Sequence, residues 1–181
     1  MILAVRESAW NWPVGILNNI FFLLLFWHSK LYADAVLQVV YVVIAVYGWW
    51  NWIHGGADHG KLPVESIAAR EWVAVCAASV IGTIVIRLAL VRFTDSAVPT
   101  WDALTTTLSL VAQFMLGKKW IENWFFWIVA DVIYIALYRY KALTLTAILY
   151  AVFLILCVTG WRRWSKSLDV KTVFVATETG A

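Results

Sequence analysis

The side chains best suited to hold a ligand lie in one apolar stretch, NWFFWIVADVIYIALYRY, which runs from Asn123 to Tyr140. On a helix, Trp124, Trp127 and Asp131 share one face, because they lie at positions i, i+3 and i+7. Indole rings stack on planar groups and attract cations, and a carboxylate accepts hydrogen bonds from hydroxyl groups or balances a positive charge. This face predicts a site for a flat small molecule that is cationic or carries hydroxyl groups.

Other polar residues lie within apolar segments, where they are unfavourable unless they face a cavity or a neighbouring helix. They are Asn18, Asn19, Gln38, Asp102, Thr105, Thr106, Thr107, Ser109, Gln113, Tyr134, Tyr138, Tyr150 and Thr159. Structural roles stay open for several of them. Tryptophans at span ends also anchor proteins at the membrane surface, and amides also hydrogen bond between helices. Asp131 has a structural alternative too, a pairing with a nearby donor.

Enzyme signatures are missing from the sequence, which has no nucleophile elbow, no phosphate-binding glycine loop and no HExxH motif. Cys76 and Cys157 have no metal-ligand spacing and are predicted to be small core residues. We therefore expect no catalytic activity, no cofactor and no metal.

The composition identifies the elements that must position these residues. Of 181 residues, 63% are hydrophobic, 14% are charged and 13 are tryptophan. A soluble domain needs more charge on its surface, whereas apolar runs of about 17–25 residues match the thickness of a bilayer core. The sequence therefore predicts an all-α, multi-pass membrane protein. The six predicted spans are Pro13–Trp27, Asp34–Trp52, Glu71–Leu90, Trp101–Leu116, Ile121–Tyr138 and Leu143–Trp161.

Lysine and arginine predict the orientation, since cytoplasmic segments are enriched in both. Nine of the 14 basic residues lie on the side that holds Arg6, the loop after Trp52, Lys118 and the tail from Arg162. We place this side, and both ends of the chain, in the cytoplasm. The net charge of +3 then reflects topology and gives no reason to expect nucleic-acid binding.

Two segments of the sequence align without a gap at an offset of 112 residues, the first starting at Asn11 and the second at Asn123. Both begin Asn-Trp, and both end Gly-Trp-x-x-Trp, at Gly48–Trp52 and Gly160–Trp164. Each copy contains two predicted helices. The linker helix and the helix after it together restore the orientation, so the copies are predicted to be parallel repeats.

The same register sets Asn19 opposite Asp131 and Gln38 opposite Tyr150, which predicts a site near mid-membrane on the axis between the repeats. A whole helix precedes the second copy, but only MILAVRES precedes the first. We therefore expect a 3+1+3 arrangement from which most of the first helix is missing, leaving about six spans. The predicted membrane domain covers 1–164, with repeat one at 1–53, the linker helix at 71–92 and repeat two at 100–164, and a cytoplasmic tail covers 165–181.

Three stretches resemble the PnuC family of vitamin transporters: NWPVGILNNIFF with LYADAVLQVVYVVIAVYGWWNW, WDALTTTLSLVAQFMLGKKWIENWFFWIVADV, and YKALTLTAILYAVFLILCVTGWRRW. The resemblance covers the chain up to Trp164. It implies a 3+1+3 fold with parallel repeats, distantly similar to the SWEET sugar transporters. It also implies facilitated uptake of nicotinamide riboside across the inner, cytoplasmic membrane by alternating access, with a cytoplasmic kinase that traps the vitamin.

In the family, a WxxW element and amide side chains hold the ligand. The resemblance assigns these roles to Trp124 and Trp127, to Asn18 and to Gln38. Two positions depart from the pattern, since Asp131 and Thr159 stand where nicotinamide riboside carriers have asparagine.

The departures leave the substrate open. Nicotinamide riboside is favoured, and a carboxylate at Asp131 suits its positive charge. Thiamine is a second flat cation carried by related proteins, and riboflavin is carried by others. A proton-coupled carrier in which Asp131 titrates, and a membrane scaffold without transport, are alternatives of a different class. Homo-oligomerisation is also left open.

Overall fold

The computed structural model describes residues 1–57 and 60–179, with side chains up to 168. Within that part the chain forms seven α-helices and no β-strand beyond an isolated bridge between Glu65 and Trp120. The helices are α1 (Ile2–Val5), α2 (Asn11–His28), α3 (Tyr32–His54), α4 (Ala69–Phe93), α5 (Pro99–Gly117), α6 (Asn123–Tyr140) and α7 (Thr144–Thr179).

Each of the six predicted spans coincides with one of the helices α2 to α7. Three helical segments are long and apolar enough to cross a membrane: Tyr32–His54, Ala69–Phe93 and Thr144–Leu168. In α2, α5 and α6 polar residues lower the hydropathy. With 18 or 19 residues each, these helices are about 27 Å long, close to the thickness of a bilayer core. Their crossing of the membrane stays a prediction.

One boundary differs clearly from expectation. The helix predicted to end at Trp161 continues as α7 to Thr179. The predicted tail thus begins as helix, because no glycine or proline interrupts the chain between Gly160 and Thr179. Residues 180–181 of that tail, and its side chains from residue 169, lie outside the described part.

The helices expose apolar side chains on the outside of the bundle. On α4, Val73 is 72% exposed and Val80 60%, and the buried side chain of this helix is Val75. A soluble protein would cover such a surface, but lipid is as apolar as these side chains. The exposed faces therefore fit a bundle surrounded by a bilayer.

Turns 112 residues apart have the same backbone geometry. Positive φ angles occur at Glu7 (53°) and Lys119 (57°), and again at Lys30 (60°) and Ala142 (58°). Each of these residues follows the end of a helix, where a left-handed residue lets the chain turn while the last carbonyl groups stay hydrogen-bonded. In both pairs the second residue lies 112 positions after the first.

Buried tryptophans repeat in the same way. Trp12 packs edge-on against Trp52, with ring centroids 5.4 Å apart and an interplanar angle of 85°. Trp124 packs against Trp164 at 5.3 Å and 85°. Gly48 and Gly160 permit this packing, since a Cβ atom at either position would overlap the indole of Trp12 or Trp124 respectively.

The two halves interlock through their leading helices, because α1 packs on α7 and α5 packs on α3. The indole N–H of Trp52 donates to the Leu116 carbonyl at 2.8 Å, and that of Trp164 donates to the Ala4 carbonyl at 3.1 Å. Both the donors and the acceptors are again 112 residues apart. Each half therefore supplies the final helix on which the other half's leading helix rests.

Some equivalent residues touch each other directly. The rings of Trp52 and Trp164 lie 6.0 Å apart, and Lys119 Nζ lies 3.0 Å from Glu7 Oε2. Lys119 also donates to the Leu62 carbonyl at 2.9 Å and lies over the Trp52 ring. Residues related by a two-fold operation meet only on its axis, so these contacts locate the pseudo-symmetry axis at the predicted cytoplasmic end.

Candidate functional site

A cavity of about 460 Å³ lies between the two halves. Its wall includes five of the residues predicted for the site: Asn18, Gln38, Trp127, Asp131 and Tyr150. The tryptophan cluster borders it on the predicted cytoplasmic side, since Trp12 and Leu116 belong to both the cluster and the wall.

The cavity lies on the pseudo-symmetry axis, because both members of several equivalent pairs line it. These pairs are Gly15 and Trp127, Asn19 and Asp131, Phe22 and Tyr134, Gln38 and Tyr150, and Tyr41 and Phe153. The backbone positions are matched, but the side chains are not. The first half supplies mainly amide groups, while the second half supplies a carboxylate, an indole and two phenols.

Helix periodicity explains which side chains reach the cavity. On α2, Asn11, Gly15, Asn19 and Phe22 recur every three or four residues and line the wall. On α6, Trp127, Asp131 and Tyr134 do the same. The outer faces of both helices carry exposed apolar residues instead. Each helix therefore has one polar or aromatic stripe, directed inward.

Asp131 is the acidic residue of the cavity wall and is 2% exposed. Its Oδ2 atom accepts a hydrogen bond from the Cys157 thiol at 3.4 Å. In the described part of the chain, the ion pairs join Glu7 to Lys119 and Asp102 to Lys141, and none involves Asp131. A thiol is a weak donor and does not balance a charge. The carboxylate can therefore receive a cation or a strong hydrogen-bond donor from a ligand.

Aromatic side chains line the cavity beside this carboxylate. The rings of Tyr134 and Tyr150 lie 4.6 Å apart, and Tyr138 stacks on Tyr150 at 5.3 Å from outside the wall. The buried Nε1 atom of Trp127 has no hydrogen-bond partner in the described structure. Aromatic faces attract flat cations, and an unpaired indole N–H is a donor available to a ligand.

Two predicted site residues lie elsewhere. Trp124 is fully buried in the tryptophan cluster. It shares a helix face with Asp131, but it lies two turns away, about 10 Å along α6, where packed indoles occupy the space between the halves. Thr159 is exposed, and its hydroxyl group donates to the Ile155 carbonyl at 2.8 Å on its own helix. Neither residue lines the cavity in this structure.

Other polar residues of the predicted spans are also used outside the cavity. Asp102 accepts a hydrogen bond from Ser96 at 2.6 Å and lies 3.6 Å from Lys141. Thr105 and Thr107 donate to carbonyl groups one turn earlier on α5, as threonines in apolar helices often do.

The sequence interpretation missed four residues of the wall: Asn11, Gly15, Tyr41 and Phe153. A signal existed for two of them. Tyr41 lies three residues after Gln38 on α3, and Gly15 occupies the repeat position equivalent to Trp127.

A helical bundle with an apolar outside and a polar cavity between pseudo-equivalent halves is the architecture of a membrane carrier. The sequence model of the family described as nicotinamide mononucleotide transporter matches residues 1–166. The chain belongs to this transporter family, and it is a membrane transporter rather than an enzyme. The predicted relationship to PnuC proteins is thereby confirmed.

Individual relatives support this assignment. The nicotinamide riboside transporter PnuC of Escherichia coli (strain K12) is 24% identical over 190 residues, which cover 91% of this chain and 80% of that protein. The riboflavin/roseoflavin transporter RibM of Streptomyces davaonensis is 28% identical over 169 residues, covering 91% of this chain and 78% of RibM. A crystal structure of the vitamin B3 transporter PnuC superposes with a TM-score of 0.67 at 28% identity, covering 93% of this chain and 78% of that one.

Proposed function

We propose that this protein carries nicotinamide riboside into the cytoplasm by facilitated diffusion through alternating access. The observation that carries the proposal is the cavity on the pseudo-symmetry axis, in which Asp131 lacks a cationic partner and Trp127 and Tyr150 offer aromatic surfaces. Its volume of about 460 Å³ lies in the usual range for small-molecule sites, about 300–1,000 Å³.

The chemistry of nicotinamide riboside matches both sides of this cavity. Its pyridinium ring is flat and positively charged, which suits an indole face and a carboxylate. Its ribose hydroxyl groups and carboxamide both donate and accept hydrogen bonds, which suits Asn18, Asn19 and Gln38. A ligand with two such ends would bind in one orientation, ring toward the second half of the protein.

The transport mechanism follows from an architecture of parallel repeats in a 3+1+3 arrangement similar to that of SWEET transporters. The matched turns and the matched tryptophan packing support this architecture. The contacts on the axis at Glu7 and Lys119 close the predicted cytoplasmic end. A carrier of this kind opens each end in turn while the ligand stays at the centre.

Several consequences belong to the same proposal. The protein would reside in the cytoplasmic membrane with both ends of the described chain inside. A cytoplasmic kinase that phosphorylates the vitamin would keep it from leaving. A homo-oligomer is compatible with the exposed apolar faces, although carrier function requires only the single chain.

Thiamine and riboflavin are the competing substrates. Thiamine shares the flat cationic ring, so Asp131 favours it equally. Riboflavin is supported by the similarity to RibM, but its larger ring system is uncharged and leaves the carboxylate unused. A proton-coupled carrier would instead use Asp131 as the titrating group.

Equilibrium binding to the purified protein tests the proposal. Nicotinamide riboside, thiamine and riboflavin are titrated separately by calorimetry, and uptake into proteoliposomes is followed with a pH-sensitive dye inside. We expect saturable binding of nicotinamide riboside and uptake without proton movement. Binding of thiamine or riboflavin alone would replace the substrate, proton flux would add coupling, and no binding would reject the site.

A further inference from the structure

Gly15 is unusual among the glycines in the described helices. Gly48, Gly82, Gly117 and Gly160 each have a neighbour so close that a Cβ atom would press against it. A Cβ atom at Gly15 would meet nothing within 4 Å, so packing does not require a glycine there.

Backbone conformation does not require this glycine either. In the described structure no glycine has a positive φ angle. Glycine inside a helix also lowers stability relative to alanine, because the unfolded chain gains more freedom. The absence of a side chain at position 15 therefore has no structural explanation in its surroundings.

The position of Gly15 in the cavity provides one. Gly15 lines the wall one turn before Asn19, just as Trp127 lines it one turn before Asp131. The two residues are equivalent in the 112-residue register, so they face the axis from opposite halves at the same depth. One half supplies an indole at this level, and the other supplies open space.

We propose that Gly15 determines the size of the ring system that the carrier accepts, because a ring stacked on Trp127 extends into the space that a side chain at position 15 would fill. This inference rests on the proposed function and specifies the part of the cavity that holds the flat end of the ligand. Gly15 acts by leaving volume and makes no polar contact itself. It therefore limits size, while charge selection belongs to Asp131.

Binding to two variants tests the inference. Gly15→Ala adds one methyl group to the wall and Gly15→Leu adds a branched chain, both into open space. For the vitamin that the wild-type protein binds, we expect Gly15→Leu to raise Kd at least tenfold and Gly15→Ala to raise it less. Val14→Leu is the matched control, since Val14 is 55% exposed on the outer face of the same helix, and its Kd should not change.

A double-mutant cycle with Trp127→Phe separates a shared slot from a remote effect. If residues 15 and 127 contact the same ring, the Gly15→Ala change should be less harmful beside the smaller Trp127→Phe ring, and the two effects should not multiply. This cycle also decides the matter if Gly15→Leu fails to fold, as judged by thermal unfolding in detergent.

The outcomes distinguish this inference from the function on which it rests. Wild-type binding that persists unchanged in Gly15→Leu, or effects that multiply in the cycle, would overturn the role of Gly15 alone. A wild-type protein that binds none of the three vitamins would overturn both.

Discussion

Replacing Asp131 by asparagine should weaken the binding of nicotinamide riboside about 10- to 100-fold. The substitution keeps the shape of the side chain and an oxygen that can accept the Cys157 thiol, which lies 3.4 Å from Oδ2. It removes the negative charge from a residue that is 2% exposed. The structure therefore isolates charge from packing at this position.

The magnitude follows from Coulomb attraction in a partly buried site. Two unit charges about 4 Å apart attract by about 4 kcal/mol at an effective dielectric constant of about 20. Loss of water from the carboxylate and the ring offsets part of this, and the asparagine dipole retains a further part. A net difference of about 1.4–2.8 kcal/mol remains, which corresponds to a 10- to 100-fold change in Kd.

Calorimetric titration with matched ligands measures this difference. Nicotinic acid riboside has the same ring and ribose with an added carboxylate, so wild-type protein should discriminate against it and Asp131→Asn should discriminate less. Asp102→Asn is the control variant, because Asp102 pairs with Lys141 at 3.6 Å and does not line the cavity. Its Kd for nicotinamide riboside should stay within about threefold of the wild-type value.

Two results would refute the reasoning. An unchanged Kd for nicotinamide riboside would mean that the carboxylate does not meet the positive charge. An equal loss for uncharged ligands would mean that the substitution disturbs the cavity itself. Thermal unfolding of the ligand-free variant checks the latter, and no loss of stability is expected, because an unpaired buried carboxylate is itself unfavourable.

Three further predictions concern packing and ligand stacking. Gly160→Val should destabilise the protein by about 2 kcal/mol or more, seen as a lower unfolding temperature in detergent, because the added side chain would overlap Trp124; an unchanged temperature would contradict the packing. Lys119→Met should lower stability by about 1–3 kcal/mol, since it leaves the Glu7 carboxylate without its partner at 3.0 Å, and a double variant that also carries Glu7→Gln should recover part of the loss in the same assay. Trp127→Ala should weaken vitamin binding by about 1–2 kcal/mol through lost stacking, measured by calorimetry against a Trp124→Phe variant whose loss should appear mainly in stability.

Much of the architecture could be predicted from the sequence because apolar length and repeat register are local, countable properties. The positions of α2 to α7 follow from apolar runs alone. The gapless register also predicted that Asn19 and Asp131, and Gln38 and Tyr150, would face one region, and all four line one cavity.

The remaining features depend on tertiary packing, which spacing does not reveal. Trp124 and Trp127 have the same residue type and share a helix face, yet the first packs on Gly160 and the second lines the cavity. Their difference arises from depth along the axis, where the leading helices fill the cytoplasmic end. Thr159 satisfies its hydroxyl group on its own helix, an option that any helical threonine has. Gly15 gave no signal by itself, since an absent side chain acquires meaning only from the empty space beside it.

The ion pair on the axis bears on how such a protein could be assembled from smaller pieces. A two-fold axis through two identical chains brings each residue on it against its own copy. Two copies of the first half would set glutamate against glutamate at this point, and two copies of the second would set lysine against lysine, at a separation where the present pair lies 3.0 Å apart. Like charges so close and so poorly hydrated repel strongly. Covalent fusion removes that conflict, because joined halves are free to mutate separately and to place opposite charges where symmetry once demanded the same one.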